Sequence, residues 1–306
     1  MVDLAPERDR IRVGDRFAVA FQRTLRVPED GRVYPLPPGL GRLPIHPVAE
    51  LTGVVPEFLR RRGGFVIPLH QREALWIAFL GAPWKPNAVQ VAVGGINAVS
   101  GRPWADRLVS DPQNYVVCPD QPWLDGVNAG AGHIRQFVAV PFGTGRSVEA
   151  QLRGRDDIGG IQLRVYEPRP GRFPERAPDD AAGKMKGPMR GLMGLGAGGK
   201  IAQRIHPDRY GIETWDPAGA VSVAVHLVTA EDFRALTGRP APPSPVSAET
   251  YAKHGLPWFD YYDEAAGDVA PVPELAGLTG TADDPGSETS VPIDPATVKP
   301  IPRHRG

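Results

Sequence analysis

The chain has 306 residues, 41% of them hydrophobic, and contains 36 glycines and 35 prolines. That glycine and proline content is about twice the ordinary share, which disfavours long helices and predicts many turns. The 35 basic and 35 acidic residues cancel, so the total charge shows no basic footprint for nucleic acid or an anionic membrane, and no nucleic-acid partner is predicted.

The sequence also bears on the compartment. The first residues, MVDLAPERDRIRVGDRF, carry charges where a signal peptide has an apolar region, and no apolar run reaches transmembrane length. The single cysteine, Cys118, cannot form an internal disulfide. We therefore expect a cytoplasmic protein without a transmembrane segment.

Alternation of apolar with small or polar residues predicts strands along most of the chain. Strands with one buried face are expected at residues 17–21, 74–79, 89–93, 148–152, 161–165 and 221–227. Strands and helices do not alternate as in a doubly wound fold. The fold class expected is therefore mainly β: an antiparallel β-sandwich or jelly-roll-like domain.

Two short late helices complete the prediction. Thr229 can cap a helix at 230–236, whose first turn is acidic. Ser247 can cap a second helix at 248–254, with glycine as its terminator.

The domain boundaries follow from composition. A single β-rich domain is expected over residues 10–262, interrupted at 167–200 by a Gly/Pro/Met-rich loop. Residues 264–306 have few apolar anchors, and the stretch between His254 and Val298 contains nine acids and no Lys or Arg. We expect 264–306 to be a disordered, acidic, proline-rich tail.

Three prolines are followed by a Trp-x-Asp unit, ending at Asp106, Asp125 and Asp260. Proline sets the entry angle, tryptophan buries a large ring system, and aspartate can bond back to nearby backbone N–H groups, so these units are first of all turn structures. If several converge, they present indoles beside carboxylates in a pocket for a polar ligand or a partner. The ligand-binding candidates are Trp123, Asp125, Trp258, Asp260, Tyr261, Tyr262 and Asp263.

A catalytic alternative centres on Cys118, with His133 or His70 as the base and with Asp120 and Asp125 nearby. Two features oppose it. Pro119 keeps Cys118 out of a helix, and Asp120 disfavours a nearby thiolate. A buried structural cysteine is therefore the favoured interpretation.

Residues 183–204 contain a formal dinucleotide fingerprint at Gly194, Gly196 and Gly199, but the strand that such a loop must follow is missing. A partner-binding loop is the favoured interpretation, because methionine surfaces adapt to varied partners. An intramolecular contact between the acidic tail and the basic loop 184–204 is a further hypothesis. The loop residues concerned are Lys184, Met185, Lys186, Met189, Arg190 and Met193.

The seven histidines show no metal-binding spacing, so no metal site and no cofactor are predicted.

Four strings carry a resemblance: VGGINAVSGRPW, VCPDQPWLDG, IRQFVAVPFGTG with SVEAQ, and GLPWFDYYD. At these strings the chain resembles an uncharacterised family of bacterial and fungal proteins, over roughly residues 15–265. The resemblance implies no activity. It implies only that the central loop and the LPWFDYY corner belong to one recurring unit.

The sequence as a whole favours a non-catalytic cytosolic β-sandwich module that binds a partner or a small polar ligand through loop-borne aromatic and acidic residues. The alternative is a hydrolase-type enzyme with a site centred on Cys118 and His133. A third possibility is self-assembly through an exposed sheet edge.

Overall fold

The computed structural model describes residues 4–7, 9–37, 39–177, 194–239, 258–260, 268–280 and 298–300. Its helices are α1 (Glu57–Arg62), α2 (Val148–Arg153), α3 (Ala230–Thr237) and α4 (Pro273–Ala276). Its strands are β1 (Leu4–Glu7), β2 (Arg10–Val13), β3 (Phe17–Thr24), β4 (Val33–Tyr34), β5 (Gly39–Arg42), β6 (His46–Pro47), β7 (Phe65–Pro68), β8 (Ala74–Leu80), β9 (Asn87–Val93), β10 (Ile96–Asn97), β11 (Val116–Cys118), β12 (Trp123–Leu124), β13 (Gly126–Gly130), β14 (His133–Val140), β15 (Ile161–Tyr166), β16 (Gly194–Ala202), β17 (Val221–Val228), β18 (Trp258–Asp260) and β19 (Val298–Pro300).

Two mixed sheets make up the fold. The first has ten strands in the order β1-β2-β3-β8-β14-β16-β4, with β5, β12 and β13 paired to β3, β8 and β14. The second has seven strands in the order β10-β9-β15-β17-β7-β6, with β11 paired to β9. Within these sheets the pairs are antiparallel except β4 with β16 and β7 with β17, which are parallel. β18 and β19 form a separate parallel pair.

Both sheets contribute to one hydrophobic core. Val19 and Phe137 from the first sheet and Val91 and Leu163 from the second are all fully buried in the same cluster. Apolar residues at alternate positions of each strand point to one face, and stacking two such faces removes both from water. The mainly β, sandwich-like prediction is confirmed.

Most of the predicted elements are also confirmed. The predicted strands at 17–21, 74–79, 89–93, 161–165 and 221–227 lie within β3, β8, β9, β15 and β17. The helix predicted at 230–236 is α3, and the Thr229 hydroxyl accepts the backbone N–H of Asp232 at 3.1 Å. The helix predicted at 248–254 lies outside the described residues.

The strand predicted at 148–152 is wrong, because this segment forms α2. The Ser147 hydroxyl caps the helix by accepting the Ala150 backbone N–H at 2.8 Å. Val148 and Leu152 are four residues apart and both pack on the core, so the same apolar residues satisfy a helical period as well as an alternating one.

The loop predicted at 167–200 is wrong over its last part. Residues 194–200 belong to β16, which pairs with β14 along its length and with β4. Leu195, Ala197 and Ile201 of this strand are buried, so the glycine-rich run continues the first sheet and is not a phosphate-binding loop.

The disorder predicted for 264–306 does not hold for residues 268–280, which we call the strap. Its apolar residues Val272, Leu275 and Leu278 are between 0% and 6% exposed and belong to the main core. Within the described residues, no helix combines the length and the apolar character needed to cross a membrane.

Candidate functional site

A cleft of about 760 Å³ opens where three strands end. β7 and β17 are parallel neighbours that end at Pro68 and Val228, and β14 of the first sheet ends at Val140. Residues before and within α1, the loop after β14 and the first two turns of α3 complete its walls. The lining residues of this apolar cleft are Val54, Pro56, Phe58, Leu59, Leu69, His70, Gln71, Val140, Pro141, Phe142, Leu227, Val228, Thr229, Ala230, Glu231, Asp232, Ala235 and Leu236.

The cleft gathers apolar side chains that the fold leaves in water. Among the described residues, four large hydrophobic side chains are exposed, and three of them line the cleft: Val54 at 94%, Phe58 at 51% and Phe142 at 50%. Single exposed apolar residues are common on proteins, but their concentration in one concave place marks a binding surface.

Phe58 is positioned by α1. Its helical neighbour Leu59 is 1% exposed and anchors the helix, so Phe58 is directed outward. The Phe58 ring meets the His226 ring edge-on at 6.3 Å, and His226 Nε2 donates to the Gly63 carbonyl at 2.8 Å. Burial lowers the pKa of His226, so the ring is neutral at pH 7 and ties the end of α1 to β17.

Two hydrogen bonds hold the loop after β14 that carries Phe142, which we call the Phe142 loop. The Gly143 backbone N–H donates to Asp156 at 2.9 Å, and the Thr144 hydroxyl donates to the Pro141 carbonyl at 2.9 Å. The Phe142 ring lies directly over Gly159. The aromatic side chain is therefore presented on a formed turn, which lowers the entropy that binding must remove.

The charges on the cleft are of one sign. Glu231 and Asp232, both exposed, lie in the first turn of α3, where the helix dipole stabilises acids. No Lys or Arg occurs among the described residues that line the cleft. The site thus combines an apolar floor with an acidic edge.

The described residues form no metal-binding cluster at this site. No group of three or more His, Cys, Asp or Glu side chains in the described ranges is arranged to hold a metal ion. His70 lines the cleft, and its backbone N–H donates to Glu73 at 3.1 Å.

Cys118 and His133 lie on strands of different sheets. Cys118 ends β11 in the second sheet, is fully buried, and pairs with Asn87 of β9. Burial raises the pKa of its thiol, and Asp120 raises it further. His133 begins β14 in the first sheet, where its Nδ1 lies 3.4 Å from the Ala131 carbonyl. These positions do not form a nucleophile and base pair.

The two aspartates of the catalytic alternative also have separate environments. Asp120 forms an ion pair with Arg209 at 2.8 Å, although burial still raises the pKa of Asp120. Asp125 is 1% exposed and is bonded to Gln203. Neither carboxylate faces the apolar cleft.

In the two Trp-x-Asp units whose side chains are described, the tryptophan bonds to its own aspartate. The Trp104 indole donates to Asp106 at 3.0 Å, and the Trp123 side chain bonds to Asp125. The indole N–H donates to the aspartate two residues later, because side chains two positions apart on an extended backbone lie on the same face. Trp123 packs beside Trp76 with ring centroids 6.0 Å apart, and both side chains are partly exposed.

The remaining candidates fall on parts of the chain without described side chains. Trp258 and Asp260 belong to β18, of which the structure describes the backbone alone. Outside the described residues altogether lie Tyr261, Tyr262, Asp263, Lys184, Met185, Lys186, Met189, Arg190 and Met193. The hypothesis of a contact between the tail and the loop 184–204 stays a prediction.

The apolar cleft was missed from sequence, although one local signal for it exists. Pro56 before α1, Glu57 in its first turn, three arginines in its last turn and Gly63 after it are standard helix start and stop signals. They identify a short helix with an apolar residue, Phe58, on its polar side. The convergence of α1, the Phe142 loop and α3 leaves no local trace.

Comparison of the chain with protein-family models, with curated proteins and with solved structures finds no match in any of the three.

Proposed function

We propose that this protein is a non-catalytic binding module that holds a segment of a partner polypeptide in the apolar cleft. The observation that carries the proposal is the convergence of Val54, Phe58 and Phe142, all exposed, on one concave site. Burying an exposed Phe or Val side chain contributes about 1.5–3 kcal/mol, so three in one cleft supply a meaningful share of a binding free energy.

The charge of the cleft specifies the partner further. Glu231 and Asp232 face the site without a basic residue among its described lining residues. A complementary partner segment carries Lys or Arg beside its apolar side chains, and its association slows as salt rises.

This proposal keeps the class of function that the sequence favoured and relocates the site. The predicted site consisted of loop-borne aromatic and acidic residues. Phe58, Phe142, Glu231 and Asp232 have that character at the cleft, whereas Asp125 is buried. The hydrolase alternative has no support from the geometry, because Cys118 is enclosed in the core.

A displayed library of random 12-residue peptides, selected on the immobilised full chain, tests the proposal. We expect enriched peptides to carry apolar residues together with Lys or Arg. Phe58→Ser and Phe142→Ser should each weaken binding about 10- to 100-fold, and Glu231→Arg should weaken it and reduce its salt dependence.

Two variants are matched controls. Val33→Ser removes a side chain of similar exposure (51%) that lies outside the cleft, and Glu213→Arg reverses an exposed acid elsewhere. Both should bind like the native chain. Selection of no peptide, or of peptides that bind the Phe58→Ser/Phe142→Ser double variant equally well, would show the proposal to be wrong. If small apolar dyes bind but no peptide is selected, the ligand of the cleft is a small molecule and not a polypeptide.

A further inference from the structure

The strap is joined to the rest of the protein at its first residues by a carboxylate. Asp268 accepts the backbone N–H of Gly132 at 2.8 Å and that of Ile205 at 3.0 Å. The backbone N–H of Val269 donates in turn to the Ile205 carbonyl at 2.9 Å. These bonds fix where the strap begins on the first sheet.

The far end of the strap is held by side chains that bond to its backbone. Gln151 donates to the Thr279 carbonyl at 3.1 Å and accepts the Thr279 N–H at 2.5 Å. Arg135 donates to the Leu278 carbonyl. Between the two ends, the side-chain amide of Asn128 donates to the Ala270 carbonyl at 3.1 Å.

Three apolar side chains, spaced three residues apart, pack the middle of the strap against the core. Val272, Leu275 and Leu278 lie at 6%, 0% and 5% exposure, with Leu275 on the one-turn helix α4. The intervening Pro273, Glu274, Ala276 and Gly277 are exposed. One face of the strap is thus buried and the other is in water, which is how a short helix-containing peptide sits in a receptor groove.

The surface that the strap covers, which we call the seat, includes Gly101, Asn128 and Gly130. Its two glycines leave room for the strap to approach closely. A Cβ atom on Gly101 would lie 2.5 Å from Val272 Cγ1, and one on Gly130 would lie 2.3 Å from Pro271 Cβ. Both glycines have positive φ, at 69° and 75°, so the backbone of the seat is already shaped for a close approach. The groove and the strap are complementary in shape as well as in hydrogen bonding.

We infer that this seat is a peptide-binding groove which recognises the strap sequence without the covalent connection, and that it accepts the strap of a second copy of the chain. Residues 240–267, which include β18, connect α3 to the strap, and a chain of 28 residues can reach about 90 Å, so β18 and β19 can move together with the strap. Exchange between copies is therefore sterically open. Because the connection raises the effective concentration of a chain's own strap, the exchanged dimer forms at high protein concentration.

The first experiment separates the strap from the chain after folding. Specific protease sites replace residues 264–267 and residues 282–285 of the full-length protein. The protein is cut at both sites, so that the strap is also severed from β19, and is then incubated with a fluorescent synthetic peptide of residues 266–281. We expect the severed strap to remain bound until the labelled peptide displaces it. A Leu275→Asp/Leu278→Asp peptide should bind at least 100-fold more weakly, whereas a Glu274→Gln peptide, altered on the exposed face, should bind like the native sequence.

The second experiment tests exchange between uncut chains. A copy with a defective seat, Gly130→Val, is mixed with a copy with a defective strap, Leu275→Asp/Leu278→Asp. We expect a one-to-one heterodimer by light scattering on a sizing column, since the intact strap of the first copy fits the intact seat of the second. Each variant is first checked for native β-sheet circular dichroism.

The two experiments have separate contrary outcomes. If cutting unfolds the protein, or if the labelled peptide never enters, the strap is an integral part of the core and the inference is wrong. Peptide exchange without a heterodimer would refute the second copy as the occupant. Neither result bears on the apolar cleft, whose peptides are selected on the uncut native chain.

Discussion

Asp125 and Gln203 hold each other through two hydrogen bonds. The Asp125 backbone N–H donates to Gln203 Oε1 at 3.0 Å, and the Gln203 side-chain amide donates to the Asp125 carboxyl at 2.7 Å. The pair joins the turn between β12 and β13 to the residue after β16. Asp125 is 1% exposed, its side-chain partners are the neutral Gln203 and Trp123, and no basic side chain among the described residues balances its charge.

The first prediction concerns the pH dependence of stability at Asp125. Burial raises the pKa of Asp125 from 3.8 to about 7, against hydrogen bonds from Gln203 and Trp123 that lower it. The folded state therefore prefers the protonated acid: its stabilising contribution is complete below pH 4 and is lost as the pH rises through about 7. At about 1.4 kcal/mol per pKa unit, the loss is on the order of 4 kcal/mol.

Asp125→Asn keeps an acceptor oxygen but cannot ionise. We expect this variant to be more stable than the native protein by about 2–4 kcal/mol at pH 9, with a smaller difference at pH 5, measured by urea unfolding. Asp106→Asn is the matched control, because Asp106 also receives an indole N–H but is 69% exposed. An equal difference between Asp125→Asn and the native protein at both pH values would contradict the assignment.

The second prediction concerns Glu149, a buried carboxylate on α2. Its Oε1 accepts the N–H groups of Asp157 (2.9 Å) and Ile158 (2.6 Å), and its Oε2 accepts that of Gly159 (2.8 Å). Glu149→Gln turns an N–H group toward these donors and removes the charge. We expect a loss of about 2–3 kcal/mol in the free energy of unfolding at pH 7.

The control for Glu149→Gln is Glu57→Gln on α1. Glu57 is 65% exposed and forms an exposed ion pair with Arg61, so we expect a change within about 0.5 kcal/mol. Equal effects of the two substitutions would show that Glu149 does not organise residues 157–159.

The third prediction concerns the ion pair between Arg23 of β3 and Glu73, whose side chains are only 7% and 1% exposed. Burial raises the pKa of Glu73, and the Arg23 charge opposes this. Glu73→Leu leaves the Arg23 charge in a poorly solvated place and should cost about 3–5 kcal/mol. The double variant Arg23→Met/Glu73→Leu should recover at least half of that cost in a double-mutant cycle. Additive effects of the two single substitutions would contradict a direct coupling.

The fourth prediction concerns the thiol of Cys118. Since Cys118 is fully buried and its pKa is raised, a small alkylating reagent at pH 8 should modify it roughly 1,000-fold more slowly than in urea-unfolded protein. Asp120→Asn should leave native protection unchanged, because burial is the main cause of the raised pKa. Rapid labelling of the native protein would reopen the interpretation of Cys118 as a nucleophile.

Sequence reasoning succeeded where a pattern repeats within a few residues. The strands β3, β8, β9, β15 and β17 each alternate over five or more positions, and α3 carries its own cap in Thr229. It failed at α2, because Val148 and Leu152 fit the period of a helix as well as that of a strand. The Ser147 cap and packing on the core favour the helix.

The strap and the apolar cleft were harder to predict than the strands, because each brings together residues that are far apart in the sequence. The strap looked disordered by composition, yet three apolar residues spaced through it find a seat built from residues more than 100 positions away, such as Asn128. The apolar cleft likewise depends on Val54, Phe58 and Phe142, which no short window brings together.

Local sequence patterns were sufficient to predict a mainly β chain with one capped helix after its last long strand. Backbone preference and apolar alternation act over neighbouring residues, so they can be read locally. Long-range packing determines the rest: which residues face solvent at the cleft, the enclosure of Asp125 beside Gln203, and the packing of residues 268–280 on the core. Those outcomes depend on which distant surfaces meet, and burial and desolvation act between such surfaces whatever their separation along the chain.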